Sequence, residues 1–161
     1  MNFNNIEELK QNNFEGFISI EKLWENNSII PKKQGVYLVL NEEKENIEFL
    51  ETGIGGIYQD KNPNVSINRL TNEFIPNSLV VYIGKANNLR VRIKQYLNFG
   101  RKDNILHYGG RFIWQLENSR NLLFCWKILP DNESPKVIES KLILEYRQQF
   151  TNRRPFANLQ G

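Results

Sequence analysis

Residues 79–100, "LVVYIGKANNLRVRIKQYLNFG", constrain the fold more than any other stretch, because the chain changes structural period across a four-residue turn. "LVVYIG" is an apolar, β-branched and aromatic run of strand length. After "KANN", apolar side chains fall at Leu89, Ile93, Tyr96 and Leu97, the i, i+4, i+7, i+8 spacing of one helical face. Asn88 is available to cap the start of that helix and Gly100 to stop it. A strand passing so quickly into a helix brings Tyr82 and Lys85 close to the helix start and projects Arg92 one turn further in.

Other segments supply partners for this unit. "GVYLVL" (35–40) follows Pro31, begins at Gly35 and ends at the polar "NEEKEN", so it reads as a buried strand. "RFIWQL" and "LLFCWKIL" read as two more strands, separated by "ENSRN". Ser134-Pro135 is a helix-opening pair, with Val137, Ile138, Leu142, Ile143, Tyr146 and Phe150 expected on the buried side. Residues 1–30 read as an extension of one or two short helices packed on the domain. Residues 41–79 carry Gly53, Gly55, Gly56, Pro63 and Pro76 and read as a long insertion.

At 161 residues the chain can bury roughly 70% of its unfolded surface around one core without a metal or disulfide staple. Cys125 is the only cysteine and lies in an apolar run, which excludes an intramolecular disulfide or cysteine-clustered zinc and points to a buried thiol. The polar N-terminus lacks the apolar core of a signal peptide, and no run of apolar residues reaches membrane-spanning length. A soluble, cytoplasmic protein with no membrane partner is expected. Net charge is only +3, but it is unevenly distributed. Residues 41–60 are strongly acidic, whereas Lys85, Arg90, Arg92, Lys94, Arg101, Lys102 and Arg111 face only Asp103 between residues 85 and 111. That basic stretch suits a phosphate backbone, and a solvated surface would also accommodate it.

The strand–turn–helix unit can be read chemically. Arg92 offers a planar donor fork that matches phosphate oxygens, so it would clamp a phosphodiester; an ordinary strand end with solvated arginines is the plainer alternative. His107 is the only histidine, so a zinc site needing two histidines is excluded. It serves equally well as a substrate contact or a surface residue. Gly109-Gly110 beside Arg111 would let backbone approach a phosphate, or would simply turn the chain.

Four motifs in order resemble the GIY-YIG nuclease family over residues 31–158: "GVY", "YIGKANNLRVR", "ESKLI" and "RPFAN". Arg92 stands ten residues after Tyr82, as in the nuclease domain of the family's excision-repair incision subunit, and Tyr96 is also similar to that branch. The resemblance implies an α/β fold, a small antiparallel central sheet flanked by helices, occupying residues 31–161 with its insertion at 41–79. It implies a DNA endonuclease using Mg²⁺ or Mn²⁺, with RNA as a substrate left open, and specificity supplied by the insertion, the N-terminal segment, a dimer or a partner subunit. Catalytic positions carried over are Tyr37, Tyr82, Lys85, Arg92 and Glu139, the last also the metal ligand. Expected substrate contacts are Arg90, Lys94, Arg101, Lys102, His107, Arg111 and Asn158. Tyr37 is assigned as general base and Tyr82 as its hydrogen-bonding partner, roles the resemblance leaves interchangeable.

The literal tripeptide Gly56-Ile57-Tyr58 competes with "GVY" for the first motif. From Tyr37 to Tyr82 is 45 positions and from Tyr58 only 24, and the family's short link favours the latter. Strand chemistry favours Tyr37, because "GVYLVL" can pair with the YIG strand whereas "GIYQDKNP" soon meets Pro63. A second nuclease pattern, Pro130-Asp131 followed by Glu139-Ser140-Lys141, matches PD-(D/E)xK but requires Glu139 and Lys141 on one face of a strand, in a stretch that reads as helix. A non-catalytic nucleic-acid-binding module on the same fold is the alternative from another functional class.

Overall fold

The computed structural model describes residues 1–56, 60–102 and 109–159. Tyr58 and His107 therefore lie outside the described residues. Four antiparallel strands form one sheet in the order β1-β4-β2-β3: β1 (Glu15–Ser19), β2 (Gly35–Leu40), β3 (Val80–Ala86) and β4 (Leu123–Ile128). Both neighbours of β2 pair with it along its full length. Its side chains are buried on both faces, and a strand covered on both sides needs the continuous apolar run that "GVYLVL" supplies.

Two cores follow from this. On one face Tyr37, Val39, Tyr82, Phe124 and Trp126 pack with α2 (Ile20–Glu25), α4 (Leu89–Phe99) and the buried aromatics of segment 111–116. On the other, Val36, Leu38, Leu40, Ile83 and Cys125 meet α1 (Ile6–Gln11) and α5 (Pro135–Gln149). Asn88 caps α4 by accepting from the Val91 N–H at 3.2 Å, and Gly100 ends it. Cys125 is buried, and burial raises its thiol pKa well above the ordinary value, so it is a packing residue.

Three sequence expectations are corrected. "RFIWQL" is not a strand but a 3₁₀ turn at Arg111–Gln115. Phe112 through Gln115 are all buried, without the alternation of a half-covered strand, and the segment gives its backbone to the insertion. Leu50 and Ile54 donate to the carbonyls of Gln115 and Trp114, and Phe49 bridges Leu116. The Gln115 amide completes this fastening, accepting from the Val65 N–H and donating to the carbonyls of Val65 and Leu50. Within residues 1–30 the structure adds β1 to the two helices. A bulge at Gly16-Phe17, both with positive φ, breaks its alternation and hides it from a period-two reading. Val137 is 64% exposed, since five residues along a helix turn it about 140° from Leu142 on the buried face.

The insertion holds a short helix, α3 (Ile67–Glu73), capped by Ser66. β3 would be an open edge, but the C-terminal segment covers it: Ala157 N–H donates to the Val81 carbonyl, and the Asn158 amide both donates to and accepts from the Ile83 backbone at 2.8 Å. No helix among the described residues is long and apolar enough to cross a membrane.

Candidate active site

Where β3 runs into α4, the two faces of the sheet converge on a cleft lined by Tyr37, Tyr82, Lys85, Arg92, Gln95 and Glu139, with Asn87, Asn88 and Val91 at the helix start. Antiparallel register explains the convergence. Tyr37 sits directly opposite Gly84, and Tyr82 opposite Val39, so both phenols stand on the α4 side. The two rings lie 6.0 Å apart between centroids, and Tyr82 meets Tyr96 edge-on at 5.3 Å. A Cβ at position 84 would fall within the Tyr37 ring, so the glycine of "YIG" makes room for the tyrosine of "GVY". Lys85, one step further along β3, projects on the opposite side and bonds Glu139 Oε2 on α5 at 2.6 Å.

Tyr37 is fully buried, and its hydroxyl has no hydrogen-bond partner of ordinary geometry among the described residues. Tyr82 and Arg92 nonetheless stand close enough to act on its proton at the base of the cleft. Burial drives its pKa well above the usual tyrosine value, and the neighbouring Tyr82 adds to this; Arg92 opposes both. Tyr82 is raised for the same first reason, with Arg92 pulling it down and the Glu139 carboxylate pushing it up. Tyr96 donates to the Gly110 carbonyl at 2.6 Å and is also raised by burial. Gly110 has φ +73° and abuts the Tyr96 and Tyr82 rings, so it serves the turn and the packing.

Arg92 emerges from α4 half-buried, with Gln95 accepting from it at 3.3 Å. Gln95 is a cleft residue that the sequence reading missed, although its position one turn after Arg92 was the available signal. No acid occupies the first turn of α4, so the positive end of the helix dipole adds to the field of Arg92 and Lys85. Glu139 is the only carboxylate among the residues lining the cleft, and it is 15% exposed. No cluster of three or more His, Cys, Asp or Glu side chains suited to a metal occurs among the described residues. A lone, hard oxygen ligand fits an ion that keeps most of its water or takes substrate oxygens, the habit of Mg²⁺ and Mn²⁺.

Apart from His107, which is outside the described residues, the expected substrate contacts lie elsewhere. Arg90 donates to the carbonyls of Ile30 and Ser28 and so fastens the N-terminal segment to α4. Arg101 lies over the Trp24 ring and donates to the Trp24 carbonyl. Arg111 lies over the Phe112 ring, while Lys94 and Lys102 are exposed outside the cleft. Asn158 braces β3 from its far edge. Lys141 is exposed on α5, two residues beyond Glu139 and thus about 200° around the helix, so the PD-(D/E)xK geometry is not formed.

A family model of the GIY-YIG catalytic domain matches residues 65–153, which include the YIG strand, α4 and α5. The chain belongs to the GIY-YIG family, whose catalytic domains are endonucleases. Nuclease chemistry on nucleic acid is therefore the class of activity, and dependence on a divalent metal is typical of that class. Neither the curated proteins nor the solved structures include a match to this chain.

Proposed function

We propose that this chain is a divalent-metal-dependent endonuclease that hydrolyses phosphodiester bonds in DNA at the Tyr37–Glu139 cleft. The carrying observation is that five side chains from four separate elements, β2, β3, α4 and α5, converge on one polar cleft beside a helix N-terminus. Arg92 receives the scissile phosphate through its guanidinium fork and remains opposite the charge that builds on the phosphorane. Glu139 would hold a Mg²⁺ or Mn²⁺ ion, which when bound would supply positive charge to stabilise the transition state. Lys85 orients the Glu139 carboxylate through their 2.6 Å contact.

Tyr37 takes the place of general base. Its hydroxyl, at the base of the cleft, hydrogen-bonds an attacking water and, as phenolate, accepts its proton, while Tyr82 steadies it from the neighbouring strand. The water oxygen forms the new bond to phosphorus, the bond to the leaving oxygen breaks, and that oxygen leaves with a proton from solvent. Because burial raises Tyr37, little of it is phenolate at neutral pH, and it depends on nearby cations to stabilise its charged form.

Incubation with supercoiled plasmid, single-stranded and branched DNA, and RNA, each with Mg²⁺, Mn²⁺ or excess chelator, tests the reading. Cleavage of at least one DNA form only with metal is expected. Cleavage in excess chelator would remove the metal role, and metal-independent binding without cleavage of any substrate would leave a binding module.

A further inference from the structure

We infer that a second pocket, walled by the insertion helix and the C-terminal turn, binds backbone phosphates of the nucleic-acid strand flanking the cut; this rests on the nucleic-acid substrate proposed above. Arg69 and Glu73 of α3 face Arg147 at the end of α5, Arg153 and Arg154 of the following turn, and Asn158. Four guanidiniums thus share a concavity with one carboxylate. Neither ion pair among the described residues involves any of them: one is Lys10–Glu7 and the other Lys85–Glu139. Glu73 offsets only part of this excess positive charge; like charges gathered together repel, and an anion relieves that cost.

The arginines have different jobs. Arg153 donates to the carbonyls of Asn72 and Phe74, pinning the turn against the end of α3, and Arg147 donates to the Asn152 carbonyl. Arg69 lies over the Phe112 ring. Arg69 and Arg154 are exposed, and neither side chain makes a hydrogen bond among the described residues, so their donor forks are open to phosphate oxygens.

Continuity with the cleft selects nucleic acid over a free anion. Asn158 lines the pocket and also grips Ile83, the residue after Tyr82 on β3. One strand therefore separates the two sites. A nucleic-acid strand held in the cleft is long enough to continue past β3 to a pocket on its far side, since its phosphates advance about 3.4 Å along the duplex axis per nucleotide. A separate hollow of the insertion, beside Asn77, is lined by Glu42, Glu43 and Glu45 with only Lys44 opposing them, and does not suit a phosphate. On this reading the insertion helps position the backbone by contributing Arg69 from α3, while its entry is acidic.

The test is the double variant Arg69→Gln/Arg154→Gln, with Lys10→Gln/Lys22→Gln, on α1 and α2 and outside the pocket lining, as a charge-matched control. Fluorescence anisotropy with labelled duplex in chelator, across a salt series, reads binding; single-turnover cleavage at saturating enzyme reads chemistry. In the pocket variant, affinity should fall about tenfold or more and the slope of log Kd against log salt should become shallower by about 1 to 2. Its saturated cleavage rate should remain within about twofold of wild type, and its melting temperature should hold or rise slightly. Wild-type affinity and slope in the pocket variant, or an equal loss in the control, overturns the inference while leaving the nuclease reading intact. A wild-type protein that binds with this arginine dependence but cuts nothing preserves the pocket and removes the nuclease; one that does not bind nucleic acid overturns both.

Discussion

The Tyr37 hydroxyl stands at the base of the cleft beside Tyr82 and Arg92, and a phenylalanine there would keep the ring that packs over Gly84. Tyr37→Phe should therefore fold with little change in melting temperature and lose roughly 10² or more in single-turnover rate, the usual scale for a general base. Tyr58→Phe should leave the chemical step nearly intact. If the losses fall the other way round, "GGIYQD" is the first motif. The wild-type rate has a pH signature as well. Because burial places Tyr37 above the ordinary value of about 10, its phenolate fraction grows with pH through the neutral and mildly alkaline range, and the rate should rise without a plateau below about pH 10. Tyr37→Phe should flatten that rise, and an unchanged profile would exclude Tyr37 as the base.

At the scale of elements, Asn158 shows how a residue assigned to substrate can act through a strand. Its amide satisfies both backbone groups of Ile83 at an edge that would otherwise be open. Asn158→Ala should cost about 1–3 kcal/mol, read as a lowered denaturation midpoint, with activity falling as β3 loosens. Wild-type stability would show that the brace contributes nothing. β2, β3, α4 and α5 were legible because each carries a local signal: continuous burial, a cap, a helical spacing, a Ser-Pro start. β1 and the 3₁₀ turn were not. A bulge disguised the first, and the second forms because Gln115 and its neighbours bond residues 48–65, a long-range choice that no local window contains. The cleft followed the same rule. Side chains on legible elements met there, whereas Arg90 and Arg101, attractive as charges in sequence, were taken by backbone carbonyls of the N-terminal segment.

Across the whole molecule, buried phenols link stability to alkaline pH. Four of the six tyrosines, Tyr37, Tyr82, Tyr96 and Tyr146, are buried with raised pKa values, Tyr146 to about 12 beside Ser78. The folded state holds these protons more tightly than the unfolded chain. Their contribution is therefore complete below about pH 10 and declines as pH climbs through the raised values. Phenolate absorbance should show these tyrosines titrating above pH 10 and together with loss of secondary structure; normal titration in a folded protein would contradict their burial.

The central claim, that the cleft cuts and a Glu139-bound ion assists, is tested most directly by single-turnover cleavage of whichever DNA form the wild type cuts. Arg92→Ala, Glu139→Gln and Lys141→Ala should be compared at saturating enzyme with Mg²⁺, with binding measured separately in chelator. Both cleft variants should lose about 10² or more in rate, with binding by Glu139→Gln close to wild type, and Lys141→Ala should cut normally. Undiminished cleavage by Glu139→Gln and Arg92→Ala, or loss of cleavage confined to Lys141→Ala, would place the chemistry outside this cleft.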